Sequence, residues 1–212
     1  MKKPILFLLF FLSIIKANAQ QDSLPYSPTF KLKEGIFVQF SDFKRNKVLN
    51  ADRIISDLDK SSLDFFSNLV AKKTILFKDS NAAEKRLSTD NIWGYCQNGN
   101  IYFRMGSDFI KIPILGRLSH FVHYSVSNGT NNYYAPFYYN NANYETTLID
   151  EFIMDAANGS LYEFSIKNME KLLQDDPALL TEFSQLKTKK KRDMKFIYVR
   201  KYNENHPLYF IK

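Results

Sequence analysis

The chain has 212 residues, 45% of them hydrophobic and 24% charged, with a formal net charge of +7. That length fits one domain, or a domain with an appendage, and is ample for a sizeable core. A single cysteine, Cys96, excludes an internal disulfide, so packing has to supply the stability.

The N-terminus reads as a secretory signal. Lys2 and Lys3 precede an apolar run from Ile5 to Ile15 broken only by Ser13, and Ala17-Asn18-Ala19 supplies a small-x-small cleavage site. The run is shorter than the roughly 20 apolar residues that a membrane span needs, and no later stretch is long enough, so no transmembrane span is expected after cleavage. The expected division is a signal peptide over 1–19 and a single domain over 20–212. Cleavage would remove Lys2, Lys3 and Lys16, lowering the net charge to +4. The remaining excess lies in residues 176–212, which carry nine Lys and Arg against four Asp and Glu.

Gly35 to Phe40 is a β-rich run closed by a turn over Asp42 to Asn46. Residues 51–70 read as two short helices, one capped by Asn50 with Ile54, Ile55 and Leu58, the other capped by Ser61 or Ser62 with Phe66, Leu69 and Val70. Thr74 to Phe77 is strand-like. In IWGYCQNGNIYF, residues 92–103, Asn98-Gly99 predicts a two-residue hairpin. The register pairs Gln97 with Asn100, Cys96 with Ile101, Tyr95 with Tyr102 and Gly94 with Phe103, and sets Trp93 beside Arg104 as a cation–π pair. Alternation puts Ile92, Gly94, Cys96, Ile101 and Phe103 on one apolar face, where the thiol is a small hydrophobe.

Phe109 to Leu115 and Leu118 to Val126 read as strands, and Leu148 to Met154 and Leu161 to Ile166 as a pair around Asn158-Gly159. Between them, residues 127–147 are rich in Asn and Tyr. From Ser165 the pattern is helical, and Asp176-Pro177 starts another helix, since the aspartate caps it and proline suits its first position. The basic run Lys187 to Arg192 is read as a helix C-terminus, and Met194 to Tyr202 favours helix; His206 falls in a tail. The C-terminal helical, basic segment spans about 166–212. The fold class is α+β, a largely antiparallel sheet or small barrel with helices near 51–70 and at the C-terminal end.

The succession EGIFVQFSDFKRNK, IWGYCQNGNIYF, GRLSHF, DDPALLTEF and YNENHP resembles a group of uncharacterised exported proteins of Bacteroidota-type Gram-negative bacteria. The resemblance implies a shared fold and an envelope address, and carries no activity or catalytic residue with it.

Ser119-His120 and His120-x-x-His123 invite a nucleophile–base pair or a metal site, but an extended segment sends His120 and His123 to opposite faces. Asp150-Glu151 with Asp155 invites glycoside hydrolysis, yet adjacent strand residues diverge. No phosphate loop, G-x-S-x-G elbow or Cys-x-x-Cys pair occurs. Ligand contact is assigned to Tyr133, Tyr134, Tyr138, Tyr139 and Trp93, because aromatic rings beside amides suit sugars and peptides. Lys189, Lys190, Lys191 and Arg192 are assigned to an anionic surface. The reading is an exported, non-enzymatic envelope protein of the periplasm or cell surface that binds a glycan, peptide or protein, with no nucleic acid, cofactor or metal. The alternatives are a secreted hydrolase using His120 or Asp150 and Glu151, and a structural subunit of an envelope assembly.

Overall fold

The computed structural model describes residues 23–27, 29–130 and 143–212. The signal peptide over 1–19 and the four tyrosines Tyr133, Tyr134, Tyr138 and Tyr139 lie outside the described residues. Strand β1 (Ser23–Pro25) is followed by β2 (Gly35–Phe37) and a short helix α1 (Phe40–Lys44). That helix replaces the turn expected after Phe40: the Gln39 N–H donates to Asp42 Oδ2 at 3.0 Å, closing its first turn.

Ala51–Arg53 form one 3₁₀ turn and Ile54–Ile55 form β3, so the only helix within 51–70 is α2 (Phe65–Val70). Ile54 and Ile55 pair with Phe77 and Leu76 of β4 (Thr74–Lys78), and sheet pairing overrides their helical spacing. Strand β5 (Glu84–Ser88) completes this sheet. Its sequence, EKRLS, is largely exposed and carries no alternation that could have revealed it.

Strands β6 (Gly94–Gln97) and β7 (Asn100–Met105) turn at Asn98 and Gly99, with φ of 52° and 71°. Their register is the predicted one, from Gln97 with Asn100 to Gly94 with Phe103. β8 (Asp108–Ile112) follows, then the long strands β9 (Leu118–Thr130) and β10 (Asn143–Asp155), and β11 (Ser160–Glu163). Helix α3 (Ile166–Leu172) starts where Ser165 Oγ accepts from the Asn168 N–H, and α4 (Pro177–Ser184) where Asp176 Oδ1 accepts from the Leu179 N–H. Helix α5 (Thr188–Asn205) is longer than its apolar spacing suggested, and β12 (Tyr209–Ile211) returns to pair with β1.

The architecture is α+β with antiparallel sheets in the orders β2-β6-β7-β8, β3-β4-β5, β11-β10-β9 and β1-β12. No closed barrel forms among the described residues; each sheet keeps open edges. Three apolar clusters hold the layers together. The first joins Phe37, Phe43, Cys96, Phe103, Phe121, Met154 and Phe210. The second seats Phe65, Phe66, Leu69 and Val70 of α2 against Ile36, Ile75 and Tyr95. The third packs Met169, Phe183, Tyr198 and Tyr202 of the C-terminal helices on Leu118 and Ile153. Helix α5 is also stapled to β9 by one amide: Asn203 Oδ1 accepts from the Leu118 N–H at 2.7 Å, and Asn203 Nδ2 donates to Leu118 O at 2.9 Å.

The hairpin β6–β7 is buried on both faces, because Cys96, Ile101 and Phe103 enter the first cluster and Tyr95 and Tyr102 stack at 4.7 Å beside the second. Its alternation reverses at Gly94. Ile92 joins the second cluster and Trp93 the first, where its ring stacks on Phe43 at 4.8 Å. The expected pairing of Trp93 with Arg104 holds in the backbone, where the Arg104 N–H donates to Trp93 O at 2.7 Å, but the cation–π contact does not form: the guanidinium donates to Thr89 O, Gly106 O and Asp90 and lies 5.9 Å from the Phe109 ring. A Cβ at Gly94 would lie 2.3 Å from Tyr102 O, so only glycine allows the strands this approach.

Gly94→Ala is expected to destabilise the protein by about 3 kcal/mol in urea unfolding, because the obstacle is backbone. Gly99→Ala, with nothing near its Cβ, should cost only the strain of positive φ, about 1 kcal/mol.

Candidate functional site

His120 sits on β9 opposite Ile153 of β10, on the face covered by the C-terminal helices. Its ring lies between those of Phe164 and Phe196, with centroids at 5.0 and 4.6 Å, and the residue is 5% exposed. Nε2 is buried and has no hydrogen-bond partner among the described residues, where Glu151 Oε1 approaches it at 4.0 Å. Glu151 Oε2 in turn lies 3.7 Å from Lys195 Nζ. Lys195 donates to Phe164 O and lies 4.0 Å over the Phe164 ring. Glu151 is partly exposed on an open groove of about 510 Å³ along residues 149–152 and 163–165.

Burial is the main force lowering the His120 pKa; Lys195 adds to it and Glu151 opposes it. The ring is therefore neutral at physiological pH. His123, three residues on, faces the other way and approaches Asp108 at 3.8 Å, so the extended strand separates the two imidazoles as its periodicity requires. Among the described residues no group of three or more His, Cys, Asp or Glu is placed to hold a metal ion.

The other sequence candidates disperse. Ser119 Oγ donates to Gly116 O at 2.8 Å and accepts from the Gly116 N–H, which locks a turn and leaves it remote in role from His120. Asp155 pairs with Arg117 at 2.8 Å and accepts from the Ala157 N–H, at the C-terminal end of β10 and beyond Asp150 and Glu151. Asp150 and Glu151 are consecutive strand residues on opposite faces, opposite His123 and Val122. His206 is no tail residue: Nε2 lies 3.0 Å from Asp176 Oδ2, tying the end of α5 to the cap of α4. Cys96 is fully buried and its thiol is pushed up to about 12, chiefly by desolvation, which makes it unreactive.

The basic run lies in the first turns of α5 and not at a helix C-terminus. Lys191 is held by Glu170 at 2.6 Å, while Lys189, Lys190 and Arg192 are exposed at the end of the helix dipole that disfavours cations.

The largest feature that the sequence did not define is the arm formed by β9 and β10. The strands pair over thirteen residues each, but among the described residues β11 pairs only with Phe152–Asp155, and β9 has only the Ile114–His120 bridge on its outer edge. From Val122 to Thr130 the two-stranded ribbon extends roughly 27 Å. Tyr124 and Ile149 are direct register partners, 65% and 63% exposed, and Leu148, 46% exposed, lies on the opposite face. Neither strand contains Lys, Arg or Pro, the residues that commonly protect exposed edges from pairing. The β-like runs at 118–126 and 148–154 announced strands; only the lack of covering elements marks their outer halves as an arm.

No protein-family model, no curated protein and no solved structure matches the chain.

The folded pKa of His120 lies below the ordinary value of about 6.5, so the unfolded chain takes up a proton first. The stability supplied by the neutral ring is complete above that pH and is lost as pH falls toward the folded pKa. The urea midpoint should thus decline between pH 7.5 and 5.5, and His120→Leu should flatten the decline; an equal slope in the variant would place its origin elsewhere. Cys96 should resist a thiol reagent in the native protein and react at once in urea, and native labelling at the rate of an exposed thiol would contradict the packing described.

Proposed function

We propose that the chain is an exported envelope protein, of the periplasm or cell surface, that works by binding and not by catalysis. Its binding element is the β9–β10 arm together with the tyrosine-rich segment, residues 131–142, that joins the two strands. The observation that carries this reading is the exposed Tyr124–Ile149 pair on a ribbon whose strands lack Lys, Arg and Pro. A soluble chain that leaves a cross-strand apolar pair in water invites contact with another surface. Rows of unpaired backbone N–H and C=O groups along the same ribbon suit an extended polypeptide, since strand addition meets every group at the strand repeat. Of glycan, peptide and protein, the ribbon thus favours a polypeptide partner, with Tyr134, Tyr138 and Tyr139 as additional contacts.

The hydrolase reading has one observation in its favour, the approach of His120 to Glu151. Against it stand the buried ring nitrogen, the 4.0 Å gap and the engagement of Ser119 with Gly116.

The test is affinity capture of the tagged, processed protein from its own envelope, beside two variants, Tyr124→Ser/Ile149→Ser and Tyr134→Ala/Tyr138→Ala/Tyr139→Ala. Because Tyr124 and Ile149 are exposed, the first variant should melt like the parent. A polypeptide captured by the parent and lost from both variants supports the arm as the binding element; the same capture by all three counts decisively against it.

A further inference from the structure

Four cationic side chains from three separate stretches border one open groove of about 460 Å³. Lys31 and Lys33 come from the segment between β1 and β2, Arg45 from the end of α1, and Lys212 from the residue after β12. No Asp or Glu is among the lining residues. Within the described residues, none of the four is in an ion pair. Like charges held together repel, and an anion between them relieves that repulsion.

All four cationic residues are exposed, and the backbone that carries three of them is held in place. Asn46, at φ 46°, accepts from the Lys33 N–H at 2.9 Å and donates to Lys31 O at 3.0 Å. One amide thereby fixes the strip bearing both lysines against the turn bearing Arg45. Beneath them Phe30 and Phe210 stack with centroids 4.5 Å apart and planes 18° from parallel, giving the groove an aromatic floor. Lys44, next to Arg45, is withdrawn from the groove, since its Nζ donates to Tyr209 O at 2.6 Å. The volume is in the range of small-ligand sites, roughly 300 to 1,000 Å³.

We propose that this groove binds a phosphorylated sugar or polyol, with the phosphate on Lys31, Lys33 and Arg45 and the ring of the ligand on Phe30. Arginine offers a planar fork to two phosphate oxygens and the lysines act as point charges beside it. Thr29, also on the groove, supplies a hydroxyl for the ligand's own hydroxyls. The same chemistry occurs in a free sugar phosphate and in a lipid headgroup. The groove shares no residue with the arm.

The experiment follows backbone amide shifts on adding glucose 1-phosphate, and flotation with phosphatidylcholine vesicles in which one lipid in five is phosphatidylinositol. Shifts confined to residues 30–33 and 45–46 are expected, and Lys31→Gln/Lys33→Gln/Arg45→Gln should weaken binding at least about tenfold. Lys60→Gln/Lys78→Gln/Lys85→Gln makes the same change in net charge on exposed residues elsewhere and should bind like the parent. Glucose 1-phosphate should bind more tightly than inorganic phosphate, and Phe30→Leu should remove that preference. Binding of the free compound alone identifies a soluble ligand, whereas flotation alone identifies a headgroup. The proposal is overturned if neither probe binds, if both triple variants lose binding equally, if inorganic phosphate binds as tightly, or if the shifts fall at 189–192.

Discussion

The inner halves of β9 and β10 are buried on both faces, and what covers each face arranges the rest of the molecule. Phe121, Phe152 and Met154 point into the cluster built on the β2-β6-β7-β8 sheet, while Leu118 and Ile153 point into the helices. A ribbon in this position has no solvated face on which to place charge, so its polar members have to be satisfied individually. Asn203 meets the backbone of Leu118, Arg117 meets Asp155, and Ser119 meets Gly116. His120 is the exception, with one ring nitrogen unbonded between two phenylalanines. Both apolar covers end along the same ribbon, and the strands continue past them as the arm.

Much of this was legible in the residues because the signals were local. Asn98-Gly99 prescribed a turn whose register follows from counting, the helical pattern from Ser165 marked the start of α3, and Asp176-Pro177 prescribed a helix start whose cap is made by the expected oxygen. Other elements depend on distant partners and leave no local trace. β5 is a strand only because β4 offers an edge, and β12 only because β1 returns to it. Ile54 and Ile55 have helical spacing and strand-forming side chains; Phe77 and Leu76 decide between the two. The reversed alternation at Gly94 was equally hidden, since it rests on how closely one carbonyl approaches a Cα.

The candidate sites divide along the same line. Separation of His120 from His123 follows from a period of two and holds in the fold. The neighbours that give His120 its character, Lys195 and Phe196 from α5 and Phe164 beyond β11, are 44 to 76 residues away in sequence, and nothing in their own context points to β9. The cationic groove is the sharper case. Lys31, Lys33 and Arg45 are unremarkable in a chain with 29 Lys and Arg, whereas the run at 187–192 is conspicuous; convergence of segments, not density along the chain, brings the first set together.

The pairing of β1 with β12 also orders events in time. Phe210 and Leu208 belong to the same cluster as Phe37 and Phe43, and Phe30 stacks on Phe210. The first core cluster therefore stays unsealed until residues more than 160 positions downstream of Phe43 are present. A nascent chain cannot bury Phe43 and Trp93 completely while it is still being made, and contacts of such long sequence separation form slowly. The last strand thus closes the first core, and a chain stopped short of Leu208 would leave Phe30, Phe37 and Phe43 without part of their cover.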